Sequence, residues 1–494
     1  MTRLGPILLA ATAACAARSP VRADIHQRGW LLVETAHIAL RTDLDRGDAI
    51  ARARSLDRYW DVLAHLYDLV APGVPPPDRR FAVIHLASCG DFEKINWNDN
   101  AGFVAPMDGE DVAVTCEGRQ DGVLIHELAH IFNHHYFARL PRWVDEGLAT
   151  YYETLIVSGG RAVLGNFPSW LSRYWNKPGW LPSFAAIRAM QRDEFYDRDR
   201  QGPNYFCAWK LVHLLNNTEP IRQLAFRHYL AALRAGVPDD TAWKEAFRDV
   251  AADALAEDYL YYQQRERVNR LSTSYRWTAP PAPRVRTLRP GEAHVVWANL
   301  LAVAHEDRVA AQLDRAAAAD PNWAGLLYWR ARLLHPANEM ELLRAYLARQ
   351  PHDSRAWLAL VSTGLKRARP KGHDPLTDPP PAALAAMADD VRKLVEHSSD
   401  PIALNQIGWY FALRKNPNAG LNFALRAVRQ EPSCAECWDT VALLYFQVGK
   451  LAQALDAQER AVGVFAEGAP REVLDRLRRY RAALRRRPPA ESAR

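Results

Sequence analysis

Residues 121–153 read DGVLIHELAHIFNHHYFARLPRWVDEGLATYYE. Asp121 is suited to cap a helix running through Val123 to Phe137. Leu140-Pro141 interrupts it, and Pro141 fits the first turn of a second helix. The segment is therefore predicted as a helical hairpin. On its first helix, His126 and His130 are four residues apart and project from one face. Glu127 is displaced from that face by about 100°. A hairpin of this length brings Glu146, on the second helix, back beside the two histidines.

These residue types at this spacing carry a definite chemistry. Two imidazoles on one helical face can each reach a single zinc ion at ~2.0–2.1 Å. Glu127 is too far around the helix to share that coordination comfortably and is placed as a base, so HExxH supplies two ligands and a base from one turn. Zinc lowers the pKa of a coordinated water to about 7. Glu127 would accept the proton as that water attacks a carbonyl, and later deliver it to the leaving amine. His126, His130 and Glu146 as a three-residue set leave the fourth position open, which distinguishes catalytic from structural zinc.

HELAH followed by PRWVDEGLATYYE resembles the gluzincins, the zinc metallopeptidases related to thermolysin and aminopeptidase N. The resemblance is close over 121–153 and looser over about 24–270, and nearest to compact exported bacterial members that often carry helical repeats. It implies zinc on His126, His130 and Glu146, with Glu127 as general base. It also implies a tyrosine or histidine that stabilises the oxyanion. Tyr205, in the helical run NYFCAWKLVHLL, is the candidate, with Tyr151 and Tyr152 behind it. Two departures count. Fifteen residues, 131 through 145, separate His130 from Glu146, slightly fewer than in the large aminopeptidases. Where those enzymes hold a substrate amine with a GAMEN-type segment, this chain has Asn100-Ala101-Gly102-Phe103-Val104-Ala105. An endopeptidase is therefore expected before a classical aminopeptidase, with a Gly-Phe-Val edge strand aligning an extended peptide by β-addition.

Neighbouring residues are weighed against the same frame. His134 lies one turn beyond His130, but three histidines at four-residue steps spread over ~12 Å of helix, so it is expected outside the ligand set. A metzincin would need histidine at position 136, which is Tyr136. Asn133 and Thr150 could hydrogen-bond the ligands or simply pack. His85, on the strand-like FAVIHL, is expected to be a packed residue.

Outward from the hairpin, residues 24–275 begin with short β-like runs: Trp30 to Arg41, Phe81 to Leu86, Gly102 to Val104 and Val112 to Thr115, the last two around a turn at Asp108-Gly109. Leu44 to Leu69 has helical spacing. From Asp121 onward the pattern is almost entirely helical. Strands first and helices after predict an α+β domain with segregated elements. The proline-rich 276–292 reads as a linker, and Ala368 to Ala382 as a loop in the C-terminal half. Beyond the linker, Trp323 and Trp357 are 34 residues apart (357 − 323), as are Leu404 and Trp438 (438 − 404). That period predicts an all-α solenoid of tetratricopeptide type over 293–482, best defined over 401–468. Small residues such as Gly408, Gly420, Ala427 and Ala461 fall where helices would cross closely.

The N-terminus reads as a signal peptide, residues 1–23, with Arg3 before the apolar Leu4 to Ala17 and a small-x-small site at Val21-Arg22-Ala23. Cys15 offers a competing lipid anchor. Soluble export to a bacterial periplasm or the medium is the expectation. No later run reaches the ~18 apolar residues of a membrane span. Export permits disulfides; a Cys89–Cys116 bridge is an even choice, and Cys434 and Cys437 are expected to form a local bridge or remain thiols rather than bind metal. The net charge of +6 is small for 494 residues, and no basic stripe interleaves with aromatics, which argues against nucleic acid as a partner. The arginines of 478–487 read as a solvated helix end running into a disordered tail, 483–494. The leading expectation is an exported zinc metallopeptidase acting on peptide or protein substrates, joined to a partner-binding repeat domain. The alternative is a repeat-based interaction protein whose zinc site is vestigial or structural.

Overall fold

The computed structural model describes residues 7–8, 29–69, 72–95, 102–118, 121–137, 139–158, 160–175, 180–262, 268–275, 280–304, 306–465 and 469–486. The expected signal peptide and Cys15 lie outside the described residues except for Ile7–Leu8, and so does 487–494 of the expected tail. The chain divides into two compact units, Met1–Asn322 and Trp323–Arg494.

The first unit is α+β. Its larger sheet contains β1 (Ile7–Leu8), β2 (Leu31–Glu34), β3 (Ile38–Thr42), β4 (Phe81–Leu86), β5 (Phe103–Met107), β6 (Glu110–Cys116) and β10 (Arg284–Thr287), in the order β1-β5-β6-β4-β3-β2-β10. β3, β4 and β6 run parallel, and the remaining pairs are antiparallel. Parallel neighbours need a crossover, and helix α1 (Arg46–Asp68) provides the one from β3 to β4. The sheet is thus mixed, not purely a run of hairpins. β4 sits at its centre and is buried along its whole length, which is why FAVIHL is apolar at nearly every position. β5 and β6 turn at Asp108 and Gly109, both with positive φ (54° and 85°), as a tight hairpin demands.

Helices α2 (Gly122–Tyr136) and α3 (Arg142–Tyr152) form the predicted hairpin. Phe132 of α2 packs edge-on against Trp60 of α1 at 4.8 Å between ring centroids, locking the hairpin to the crossover helix. On the other side α3 packs against α4 (Gln201–Asn217), itself buried at nearly every position. Gly147 makes that approach feasible. A Cβ there would stand 2.7 Å from both the Ala208 carbonyl oxygen and Val212 Cγ2. Gly147→Ala is expected to destabilise the chain by about 1–3 kcal/mol through overpacking, seen as a lower Tm in thermal denaturation.

Two stretches differ from the sequence expectation. A three-stranded sheet, β7 (Ile156–Ser158), β8 (Arg161–Leu164) and β9 (Leu271–Ser274), interrupts the helical region after Asp121. Its strands are three or four residues long, and Ser274 pairs with Arg161. Pairing between such distant segments leaves no local pattern. The proline-rich 276–292 also does more than link. Arg284–Thr287 hydrogen-bonds to β2 with Val285 opposite Val33, on the sheet edge where flanking prolines are tolerated. A helix begins at Pro290 and pairs with Val309–Ala319 inside the first unit. The second compact unit starts at Trp323.

The second unit is all-α: α5 (Gly325–Leu334), α6 (Glu339–Leu347), α7 (Ser354–Ala368), α8 (Ala388–His397), α9 (Pro401–Leu413), α10 (Pro417–Gln430), α11 (Ala435–Gln447), α12 (Leu451–Val464) and α13 (Arg471–Arg485). Successive helices pack pairwise as tetratricopeptide-type hairpins. α9 and α11 start 34 residues apart (435 − 401). The small residues explain the close crossing: a Cβ on Gly420 would be 2.8 Å from Phe411 Cβ and 3.0 Å from the Gly408 carbonyl oxygen. α13 extends to Arg485, so the start of the expected tail is helical. Cys89–Cys116 and Cys434–Cys437 are disulfide-bonded. No helix among the described residues is long and apolar enough to cross a membrane.

Candidate metal centre

The hairpin brings three potential ligand atoms to one point. His126 Nε2 and His130 Nε2 are 3.2 Å apart, and each is 3.4 Å from Glu146 Oε2. These side chains are buried, with exposures of 0 %, 5 % and 0 %. Glu146 Oε2 has no hydrogen-bond partner, which is costly for a buried carboxylate oxygen. The spacing fits a common cation. A tetrahedral shell with metal–ligand distances of ~2.0–2.1 Å has edges of about 3.3–3.4 Å.

The outer ring nitrogens are already committed. His126 Nδ1 lies 3.0 Å from Glu153 Oε2, and the Trp170 indole donates to Glu153 Oε1 at 2.6 Å. His130 Nδ1 lies 2.9 Å from Asp145 Oδ1. Asn133 Nδ2 donates to the same carboxylate at 2.9 Å and Arg142 to its other oxygen at 3.1 Å. Tyr67 in turn donates to Asn133 Oδ1. With each Nδ1–H donated to a carboxylate, the two Nε2 lone pairs face each other and Glu146. That arrangement is repulsive unless positive charge sits between them. Electrostatics agree. Burial lowers the His126 imidazole, but the neighbouring carboxylates of Glu146 and Glu153 carry its pKa up to about 9. Burial likewise opposes the charge on Glu146, and His130 and His126 hold its carboxyl far below the ordinary range.

Glu127, one residue along α2, is not among the three residues whose ligand atoms converge. It is 3 % exposed, and its Oε1 has no hydrogen-bond partner. Burial pushes its carboxyl above the ordinary value, opposed by the charges of His126 and His130.

The other sequence candidates separate. Tyr205 is buried with its ring centroid 6.2 Å from that of His126; burial first, then the charge of Glu146, raises its phenol. Tyr151 turns away and donates to Asn217 at 2.8 Å, while Tyr152 packs near Tyr67 at 5.7 Å. His134 is 42 % exposed and 3.6 Å from Asp145 Oδ2, with its ring outside the set formed with Glu146. Thr150 Oγ1 is buried without a hydrogen-bond partner. His85 is buried within β4, with Nε2 2.9 Å from Glu117.

Three residues at the site escaped the sequence reading. Asp145 and Glu153 orient the histidines, and both are legible in retrospect. One precedes Glu146, and the other follows it by seven residues, two turns along the same face. Tyr196, whose hydroxyl donates to Glu146 Oε1, lies 50 residues from Glu146 on an unpatterned stretch; no local signal marks it.

No protein-family model matches the chain, and no curated protein matches it. Among solved structures, the chain is similar to MamA at 12 % identity, covering 35 % of this chain and 91 % of that one, with a TM-score of 0.29. It is similar to YrrB, described as a TPR protein with an unusual peptide-binding site, at 16 % identity over 37 % of this chain and 89 % of that one, TM-score 0.29. A thermophilic TPR protein from Thermus thermophilus shares 22 % identity over 39 % of this chain and 98 % of that one, TM-score 0.29. At these scores the likenesses carry no argument about activity.

Proposed function

We propose that the chain is an exported zinc hydrolase of the gluzincin type that cleaves peptide bonds, coupled to a helical-repeat unit that binds a protein or peptide. The observation that carries this reading is the set of two Nε2 atoms and one carboxylate oxygen at 3.2–3.4 Å, with both Nδ1 atoms already held by carboxylates. His126, His130 and Glu146 would hold the zinc, which when bound polarises a substrate carbonyl and acidifies water. Glu127 Oε1 takes the proton from the attacking water and returns it to the leaving amine. Tyr196 and Tyr205 line the Glu146 side, where a phenol O–H can donate to the negative oxygen that develops. The outer side of β5 is taken by the chain's own Ile7–Leu8, antiparallel with Leu8 opposite Phe103; with the expected signal peptide removed, an extended substrate could pair there.

Purified chain should contain one zinc ion, and His130→Ala should remove it; metal-free wild-type protein, or undiminished zinc in the variant, would sink the assignment. Glu153→Gln should keep the fold and weaken zinc binding by roughly 10–100-fold, because His126 loses the carboxylate that orients it. A chelator competition titration measures this.

A second reading is favoured by the burial of the ligands and by the Tyr196 hydroxyl resting on Glu146. On it, the zinc centre is structural and the repeats perform the function. A zinc-loaded wild-type chain inactive across broad peptide libraries would decide for it.

A further inference from the structure

One segment of the second unit is tied to helices far from it in sequence. Between α7 and α8 the chain folds into a strap, His373-Asp374-Pro375-Leu376-Thr377-Asp378, braced on itself. Asp374 N donates to Asp378 Oδ2 at 2.8 Å, and Leu376 N to Asp374 Oδ1 at 2.9 Å. The strap then reaches across helices distant in sequence. Arg479 of α13 donates to Asp374 Oδ2. Gln447, the last residue of α11, donates to the Pro375 carbonyl at 3.4 Å and to Ala412 O at 3.0 Å. Lys415, just past α9, donates to the same Pro375 carbonyl at 2.5 Å. Leu376 packs against the apolar core of the last two complete hairpins. α9 and α11 are the first helices of consecutive hairpins and α13 follows the second of them, so a cation, an amide and a second cation from three places along the unit converge on one short peptide.

The fit is incomplete. A partly open cavity of about 290 Å³, bounded by Leu376, Lys415, Pro417, Phe446 and Gln447, remains beside the strap. Gln447 Oε1 is buried with no hydrogen-bond partner. An amide that satisfies a ligand carbonyl on one side and leaves its own oxygen unmet on the other suits a longer peptide with a backbone N–H to donate. The cavity likewise has room for more apolar side chain than Leu376 supplies.

We propose that Asp374–Leu376 is an internal ligand occupying the peptide groove of the repeats, and that the partner is an extended acidic segment with an apolar residue two positions after its carboxylate. Partner binding then requires release of the strap. This deepens the reading of the second unit as a peptide-binding repeat domain and rests on it, but is independent of the zinc centre.

The test uses the full chain and a labelled peptide HDPLTDPPP, residues 373–381, read by fluorescence anisotropy. A tethered strap competes at an effective concentration on the order of millimolar, so releasing it should tighten peptide binding roughly tenfold or more. The double variant Asp374→Ala/Leu376→Ala is therefore expected to bind at least that much better than wild type, and adding Arg479→Ala should cancel the gain. Equal binding by wild type and a double variant that keeps its helical circular dichroism overturns the proposal. If the double variant loses helix, amide hydrogen exchange of wild type decides instead: millimolar peptide should speed exchange at 374–378, and unchanged exchange overturns the proposal. Neither readout involves hydrolysis, so failure here leaves the metal assignment standing, and loss of the metal site leaves peptide binding intact.

Discussion

Glu127→Gln should reduce peptide hydrolysis by roughly 10²–10⁴-fold while the zinc content stays at one per chain. The argument is geometric before it is electrostatic. Glu127 shares α2 with His126 and His130 yet is displaced around the helix from their face, and the pairs at 3.2–3.4 Å do not include it. Removing its charge therefore leaves the ligand set intact. What it removes is a proton acceptor whose Oε1 is buried and unpaired and whose carboxyl burial pushes above its ordinary value. Glutamine fills the same volume and cannot accept the proton. Zinc analysis and turnover on a peptide library, measured on the same preparation, separate the outcomes. Full activity in the variant would mean that another group moves the proton. Loss of zinc would mean that Glu127 helps bind it.

The largest effect on stability is expected in the second unit. Arg476→Met should destabilise it by about 3–5 kcal/mol, since removing one partner of a buried ion pair strands the other charge. Arg476 of α13 donates through Nε to Asp439 Oδ1 at 2.9 Å and through Nη2 to Oδ2 at 2.5 Å. Gln458 of α12 donates to the same Asp439 Oδ1 at 2.8 Å and to the Val473 carbonyl at 3.0 Å. Three helices therefore meet on one carboxylate on α11, with both charged side chains at most 10 % exposed. In the methionine variant Asp439 keeps one donor and loses two. Chemical denaturation followed by circular dichroism should show the loss, and the double replacement Asp439→Leu/Arg476→Met should recover much of it. A cost below about 1 kcal/mol, the range of exposed pairs, would show that water reaches the pair.

How much of this was legible beforehand depended on the range of the interaction. The hairpin of α2 and α3 is written in local terms: histidines four apart, a proline break, and a second helix whose Glu146 falls at the return distance. The repeats are legible for the same reason, because a 34-residue period records hairpins that pack on their immediate neighbours. Gly408 and Gly420 could be placed at a helix crossing from that phase alone. β10 could not. Arg284–Thr287 contains a single apolar residue amid prolines and becomes a strand only because β2 presents an open edge to it. β7 and β8 pair as a short local hairpin, but β9 finds its partner β8 more than 100 residues away, as Arg161 and Ser274 show.

At the site the division is similar. Sequence alone determined which atoms could meet, His126, His130 and Glu146, and set Glu127 apart from them, since a helix fixes the angle between its residues. Only the tertiary structure decided what holds those atoms in place. Asp145, Glu153 and the Asn133–Tyr67 pair orient the rings from behind, and Tyr196 arrives from a distant turn. Hydrogen bonds between residues remote in sequence have no period, so neither the orientation of the ligands nor the strap across the repeats could be read before the chain was folded.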